Sequence, residues 1–90
     1  MSLAIIFLEA IKLKLSDAIR KRINALFKEK NLNMWKLYKR TGIPMATLSA
    51  FMSGKRDLPT LKTLLHICEG FDMKLSDFFE DPLFDDVEQD

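Results

Sequence analysis

A single cysteine, Cys68, leaves no internal disulfide and no cysteine-based zinc site. It suits a reducing compartment. A single histidine, His66, leaves no His-rich metal site, and no nucleophile–base set accompanies it, so no catalytic residues are expected. Three glycines and three prolines are too few for a turn-rich all-β chain of 90 residues, which favours helices. The longest apolar run, LAIIFL, falls far short of the roughly 20 residues that cross a bilayer. The N-terminus also lacks the basic start and small-residue cleavage site of a signal peptide. A soluble cytoplasmic protein with no membrane partner is expected.

What is present is a globular amount of apolar sequence, 48 %, enough for one domain and one core. The formal net charge of +1 conceals a segregation of charge. Residues 12–62 hold thirteen Lys/Arg against Asp17, Glu29 and Asp57, a net +10. Residues 63–90 hold Lys74 against nine acids, a net −8, and Glu9 completes the total. A block this basic calls for an anionic partner or a long solvated surface, and nucleic acid is the first candidate.

Three segments follow from the pattern: an apolar N-terminal arm over 1–15, a helical domain over 16–81 and an acidic tail over 82–90. Met1-Ser2-Leu3 reads as an expression leader. In "AIIFLEAIKLKL" (4–15), Ile11, Leu13 and Leu15 alternate with Lys12 and Lys14 at a strand period, whereas the part before fits helix equally well. Ser16-Asp17 is a helix start signal. Ile19, Ile23, Leu26 and Phe27 then recur on one helical face, with Arg20, Lys21, Arg22 and Lys28 away from it. Asn31 ends this helix. Asn33 caps a second one through Thr41. Gly42 ends that helix in the left-handed conformation, and Pro44 fits the first turn of a third helix running to Ser53. Leu48 and Phe51 are its inward residues, Ile43 is pinned beneath the corner, and Gly54 stops the helix. Pro59 opens a fourth helix with the stripe Leu61, Leu64, Leu65 and Cys68. "LSDFFE" (75–80) makes a fifth.

Five short helices, the second and third joined by a tight glycine corner, match a helix-turn-helix. The stretch "IRKRINALFKEKNLNMWKLYKRTGIPMATLSAFMSGKRDLPTLKTLLHICEGFDMKLSDFF" (19–79) resembles the phage repressor/Cro (XRE) family, especially small stand-alone regulators. The resemblance covers about two-thirds of the chain. It implies an all-α, compact five-helix lambda-repressor-like DNA-binding domain carrying an apolar N-terminal arm. It implies that the third helix enters the major groove, with Met45, Ala46, Ser49 and Ala50 facing bases. It implies phosphate contacts from Asn33, Met34 and Lys36 at the start of the second helix, from Thr47, and from Ser53, Lys55 and Arg56 in the following loop, with backbone amides of that loop helping. Two features depart from the family pattern. Tyr38 stands where a small residue is usual, between two touching helices. The reading helix also lacks the Arg, Asn or Gln of strong direct readout.

The remaining residues carry plainer expectations. His66 and Cys68 lie on opposite sides of a helix, about 200° apart, so Cys68 is expected in the core and His66 on the surface. Trp35 is expected to pack against neighbouring helices rather than to stack on a base. Asp85, Asp86 and Glu88 are expected to be solvated rather than to hold a cation, and no cofactor or metal is expected. Part of the basic face of the first helix is expected near phosphates. The apolar arm needs a cover, and a second subunit is the economical one, with Phe78, Phe79, Leu83 and Phe84 nearby. The functional expectation is sequence-specific binding of double-stranded operator DNA by a homodimeric transcriptional regulator. A protein-interaction module that keeps the fold and acts through a partner protein is the alternative.

Overall fold

The computed structural model describes residues 13–55 and 58–89. Five helices run through them: α1 Leu15–Glu29, α2 Met34–Thr41, α3 Met45–Met52, α4 Leu61–Gly70 and α5 Leu75–Phe79. A 3-10 turn at Pro82–Phe84 follows. A two-residue parallel pair, β1 Leu13–Lys14 with β2 Val87–Glu88, sets Leu13 beside Val87 and Lys14 beside Glu88. The fold is all-α, with this small strand pair as its one addition among the described residues.

Helix ends follow local chemistry. The Asn33 carboxamide accepts from Lys36 N at 2.8 Å and caps α2, as expected. The ends of α1 and α4 share one solution. Asn31 (φ 53°) and Asp72 (φ 56°) take the left-handed conformation, and the next amides, Leu32 N and Met73 N, return to Phe27 O at 2.9 Å and Cys68 O at 3.0 Å. Three helix starts differ from the sequence reading. Helix α1 begins at Leu15, not Ser16, because β1 delivers the chain to Lys14 and Leu15 already packs on the core; Ser16 is buried inside the first turn, and Lys14 holds the cap position. Pro44 is the residue before α3, not its first, since its ψ of 139° is extended. Helix α4 starts two residues after Pro59, where the Thr60 hydroxyl accepts from Thr63 N at 3.1 Å.

The core gathers Ile19, Ile23 and Leu26 from α1, Leu37 from α2, Leu48 and Phe51 from α3, Leu64, Ile67 and Cys68 from α4, and Phe71 and Phe78. The stripe expected on α4 is rotated. Leu61 and Leu65 are 72 % and 43 % exposed, while Leu64, Ile67 and Cys68 face inward and Phe71 continues them. A short helix cannot hide two leucine faces in one small core, and the face that meets α2 takes precedence.

The acidic end is folded against α1 rather than trailing free. Asp81 accepts from Leu83 N at 2.9 Å and pairs with Arg22 at 3.3 Å, while Asp85 and Glu88 stay exposed. Phe78, Phe79 and Phe84 pack on one another with ring centroids 5.0–5.9 Å apart. These aromatics, which the sequence offers to a second subunit, are therefore closed within the chain. Residues 1–12, most of the apolar arm, lie outside the described residues.

Candidate nucleic-acid interface

The corner between α2 and α3 is built by three residues. Gly42 sits at φ 75° and its amide returns to Tyr38 O at 2.8 Å. The Thr41 hydroxyl donates to Leu37 O at 2.8 Å and accepts from Ile43 N at 3.2 Å, which spans the turn. Ile43 is half-buried against the core, as the sequence suggests. Tyr38 fits without opening the corner: it lies half-buried on the core edge, its ring 5.4 Å from that of Trp35. Trp35 does not pack inward. It is 54 % exposed, with Lys39 Nζ 5.3 Å from its ring centroid.

Helix α3 buries Leu48 and Phe51 and turns Met45, Ala46 and Ser49 to solvent, while Ala50 is half-buried. Thr47 is also half-buried and lines a shallow apolar cleft toward α4, with Leu48, Phe51, Leu58 and Pro59. At the start of α2, Asn33 and Lys36 are exposed and Met34 leans on the core. The first-turn amides of Met34 and Trp35 have no acceptor within their helix, which makes that end attractive to an anion. After α3, Ser53 and Lys55 are exposed, and Arg56 lies outside the described residues. The amides of the first three loop residues close the end of α3. Ser53 N, Gly54 N and Lys55 N donate to Ser49 O, Phe51 O and Ala50 O at 2.9, 3.1 and 2.9 Å.

Positive charge divides into two kinds. Three arginines cap helix C-termini, where orphan carbonyls and the negative end of the dipole favour a cation. Arg20 Nε donates to Phe51 O at the end of α3 (2.8 Å), with its guanidinium 5.1 Å from the Phe51 ring centroid. Arg22 donates to Phe78 O and Asp77 O on α5 at 2.8 and 3.0 Å. Arg40 donates to Gly70 O at the end of α4 at 3.0 Å. Arg20 and Arg22 thus hold the fold rather than offer a phosphate-facing surface. The lysines are the other kind: Lys21, Lys28, Lys30, Lys36, Lys39 and Lys55 are exposed and form no ion pair among the described residues.

Cys68 is fully buried, and burial pushes its thiol up to about 11. His66 is on the surface, 3.8 Å from Glu69. Among the described residues no three His, Cys, Asp or Glu side chains gather to hold an ion. No described helix is long and apolar enough to cross a membrane.

Two short helices joined at a left-handed glycine, the second exposing a row of small side chains between lysine-bearing flanks, define a helix-turn-helix DNA-binding protein. The chain belongs to the family of the Cro/C1-type helix-turn-helix DNA-binding domain, whose model matches residues 22–83. Among solved structures it is similar to the crystal structure of the prophage Lp1 protein 11, with a TM-score of 0.73 and 21 % identity. That likeness covers 83 % of this chain and 99 % of the other, and it shows the shared fold. No curated protein matches the chain.

Two contributors to the site escape a reading of the sequence. One is the arginine capping, since an Arg on an exposed helical face looks like surface charge until the partner helix end is placed. The other is Gly70. A Cβ there would lie 2.6 Å from Thr41 Cγ2 and 2.7 Å from Leu37 Cδ1. Its missing side chain lets α4 press against the end of α2, where the corner begins. A glycine inside an apolar helical run is the one sequence signal that points to such a close approach.

Proposed function

We propose that this protein is a transcriptional regulator of the repressor type that acts by occupying a specific DNA site. Helix α3 enters the major groove with Met45, Ala46, Ser49 and the edge of Ala50 toward the bases. Asn33, Met34 and Lys36, with Thr47, Ser53, Lys55 and Arg56, meet phosphates on either side. The observation that carries this reading is the face of α3. It exposes small side chains in one row while its opposite face is locked in the core, and unpaired lysines flank it. Methyl, thioether and hydroxyl groups pack on thymine methyls and discriminate weakly. Specificity then draws on DNA shape and on the spacing of two half-sites read by two copies in the cytoplasm.

Fluorescence anisotropy against a site selected from random duplex DNA tests the proposal. Each neutralised phosphate contributes about −0.9 to the log–log salt slope, so a dimer should give a slope of roughly −4 to −8. A slope near zero refutes DNA occupancy. Ser49→Glu should abolish binding by repulsion and leave the fold intact, because position 49 is exposed. It is a cleaner probe than Ala50→Glu, whose site is half-buried.

A further inference from the structure

We propose that the cleft between the end of α1 and the outer face of α2 binds a nucleoside phosphate, with its base stacked on Trp35 and its phosphate among Lys30, Lys36 and Lys39. The turn 30–32 forms one wall, and Trp35, Lys36, Lys39 and Arg40 of α2 form the other. Positions 35, 36, 39 and 40 share one side of the helix, away from the buried Leu37. The cleft has a volume of about 450 Å³, inside the range of roughly 300–1,000 Å³ usual for small-molecule sites. Trp35 is the one aromatic side chain exposed among the described residues, to 54 %. Tyr38, tilted 45° with its ring 5.4 Å away, buttresses it from the core side. An aromatic ring held in this way is a stacking platform for a base of any kind.

Charge and shape together select the ligand. No carboxylate lines the cleft. Lys30, Lys36 and Lys39 form no ion pair among the described residues, whereas Arg40 is already held by Gly70 O at 3.0 Å and Asp72 at 3.5 Å. Arg40 therefore serves as wall, and the three ammonium groups supply the charge. Three such point charges at one place match an anion that carries more than one charge. A phosphate monoester holds about −1.5 to −2 at pH 7, more than a carboxylate can. A planar ring and a phosphate on one small molecule define a nucleotide. The Lys39 ammonium stands 5.3 Å from the Trp35 ring centroid. Rotation of its own flexible stem moves it from the ring to the phosphate and uncovers the ring for the base. Lys36 also belongs to the phosphate-facing set proposed for DNA, so an occupied cleft withdraws it from the duplex. That consequence, release of DNA by the nucleotide, rests on the DNA-occupancy reading; the cleft itself does not.

Trp35 is the only tryptophan of the chain, so its fluorescence reports on the cleft directly. The test is titration of the full chain with AMP, without DNA, excited at the red edge of the tryptophan band. The expected result is saturable quenching with a Kd on the order of 10–100 µM, from the affinity per atom usual for a ligand of this size. Adenosine and ribose 5-phosphate, each carrying half of the recognition, should bind at least about tenfold more weakly. Lys39→Gln should weaken AMP about tenfold, and Lys62→Gln, on α4, should leave it unchanged. Calorimetry follows Trp35→Ala, which should lose AMP and keep the wild-type circular dichroism. No saturation with AMP up to about 1 mM overturns the site. So does equal binding of adenosine or of ribose 5-phosphate, or a Lys39→Gln protein of wild-type affinity. Quenching by duplex DNA and not by AMP overturns it too, because the cleft then belongs to the DNA interface. Anisotropy on labelled DNA separates the two readings. A chain that binds DNA with a steep salt slope but ignores AMP refutes the cleft alone, and one that binds AMP but no DNA refutes the occupancy reading alone. AMP that binds without lowering DNA affinity refutes the competition through Lys36.

Discussion

Gly70→Ala probes the contact on which the reading corner rests. The new Cβ would meet Thr41 Cγ2 at 2.6 Å and Leu37 Cδ1 at 2.7 Å. Carbon pairs prefer about 3.5–4.0 Å, so something must yield by roughly 1 Å. Neither neighbour yields freely. Leu37 is fully buried, and the Thr41 hydroxyl is held by Leu37 O and Ile43 N. Overpacking of this kind costs about 1–3 kcal/mol. Helix propensity returns up to about 1 kcal/mol, less at the last helical residue. The net loss is about 1–2 kcal/mol, or a fall in melting temperature of roughly 5–15 °C for a domain of this size. Thermal unfolding followed by circular dichroism at 222 nm reads it. Thr41→Ser deletes Cγ2 and keeps the hydroxyl. In the double variant it should recover about half of the loss, a coupling that independent sites do not show. A Gly70→Ala protein as stable as the wild type would refute the close-approach argument. So would a Thr41→Ser background that leaves the cost unchanged. Because Thr41 also spans the corner, DNA affinity should fall along with stability.

Three other substitutions and one titration check the remaining arguments. Arg22→Met removes the charged cap from Phe78 O and Asp77 O and should cost about 2–3 kcal/mol in urea unfolding, whereas Lys21→Met should stay within about 0.5 kcal/mol. Asn33→Ala should cost about 1 kcal/mol of stability and weaken DNA binding further than that loss explains, as measured by anisotropy on the fully folded variant. The Cys68 thiol keeps its proton to about 11 in the folded chain against an ordinary 9.0, so the unfolded chain releases that proton first. Its contribution to stability is therefore full below pH 9.0 and declines as pH rises toward 11, and thiol reagent at pH 8 should label only the unfolded protein.

Elements with a local cause were legible in advance. Asn33, Gly42 and Gly54 punctuate α2 and α3 through their own backbone chemistry, and each acts in the structure as it reads in the chain. The inward pair Leu48 and Phe51 followed from helical period. Trp35 did not behave as its size suggests. Among the described residues its ring contacts are Tyr38 and Lys39, one turn away on its own helix. The α4 stripe was misjudged for a related reason. Leu61, Leu64, Leu65, Ile67 and Cys68 satisfy two overlapping helical stripes, and period alone does not choose between them.

The amino-acid sequence by itself determined the class of this protein: helices of set length, a glycine corner at a helix-turn-helix spacing, and a basic block over the same residues. Such features depend on dihedral preference and on neighbours within four residues, so they are written locally. Tertiary structure decided which charges remain for a partner. Arg20, Arg22 and Arg40 reach carbonyls 31, 56 and 30 residues away, and only the folded chain brings those helix ends to them. It also decided that α4 shows Leu61 and Leu65 to solvent, because the face carrying Gly70 is the one that can lie close against α2.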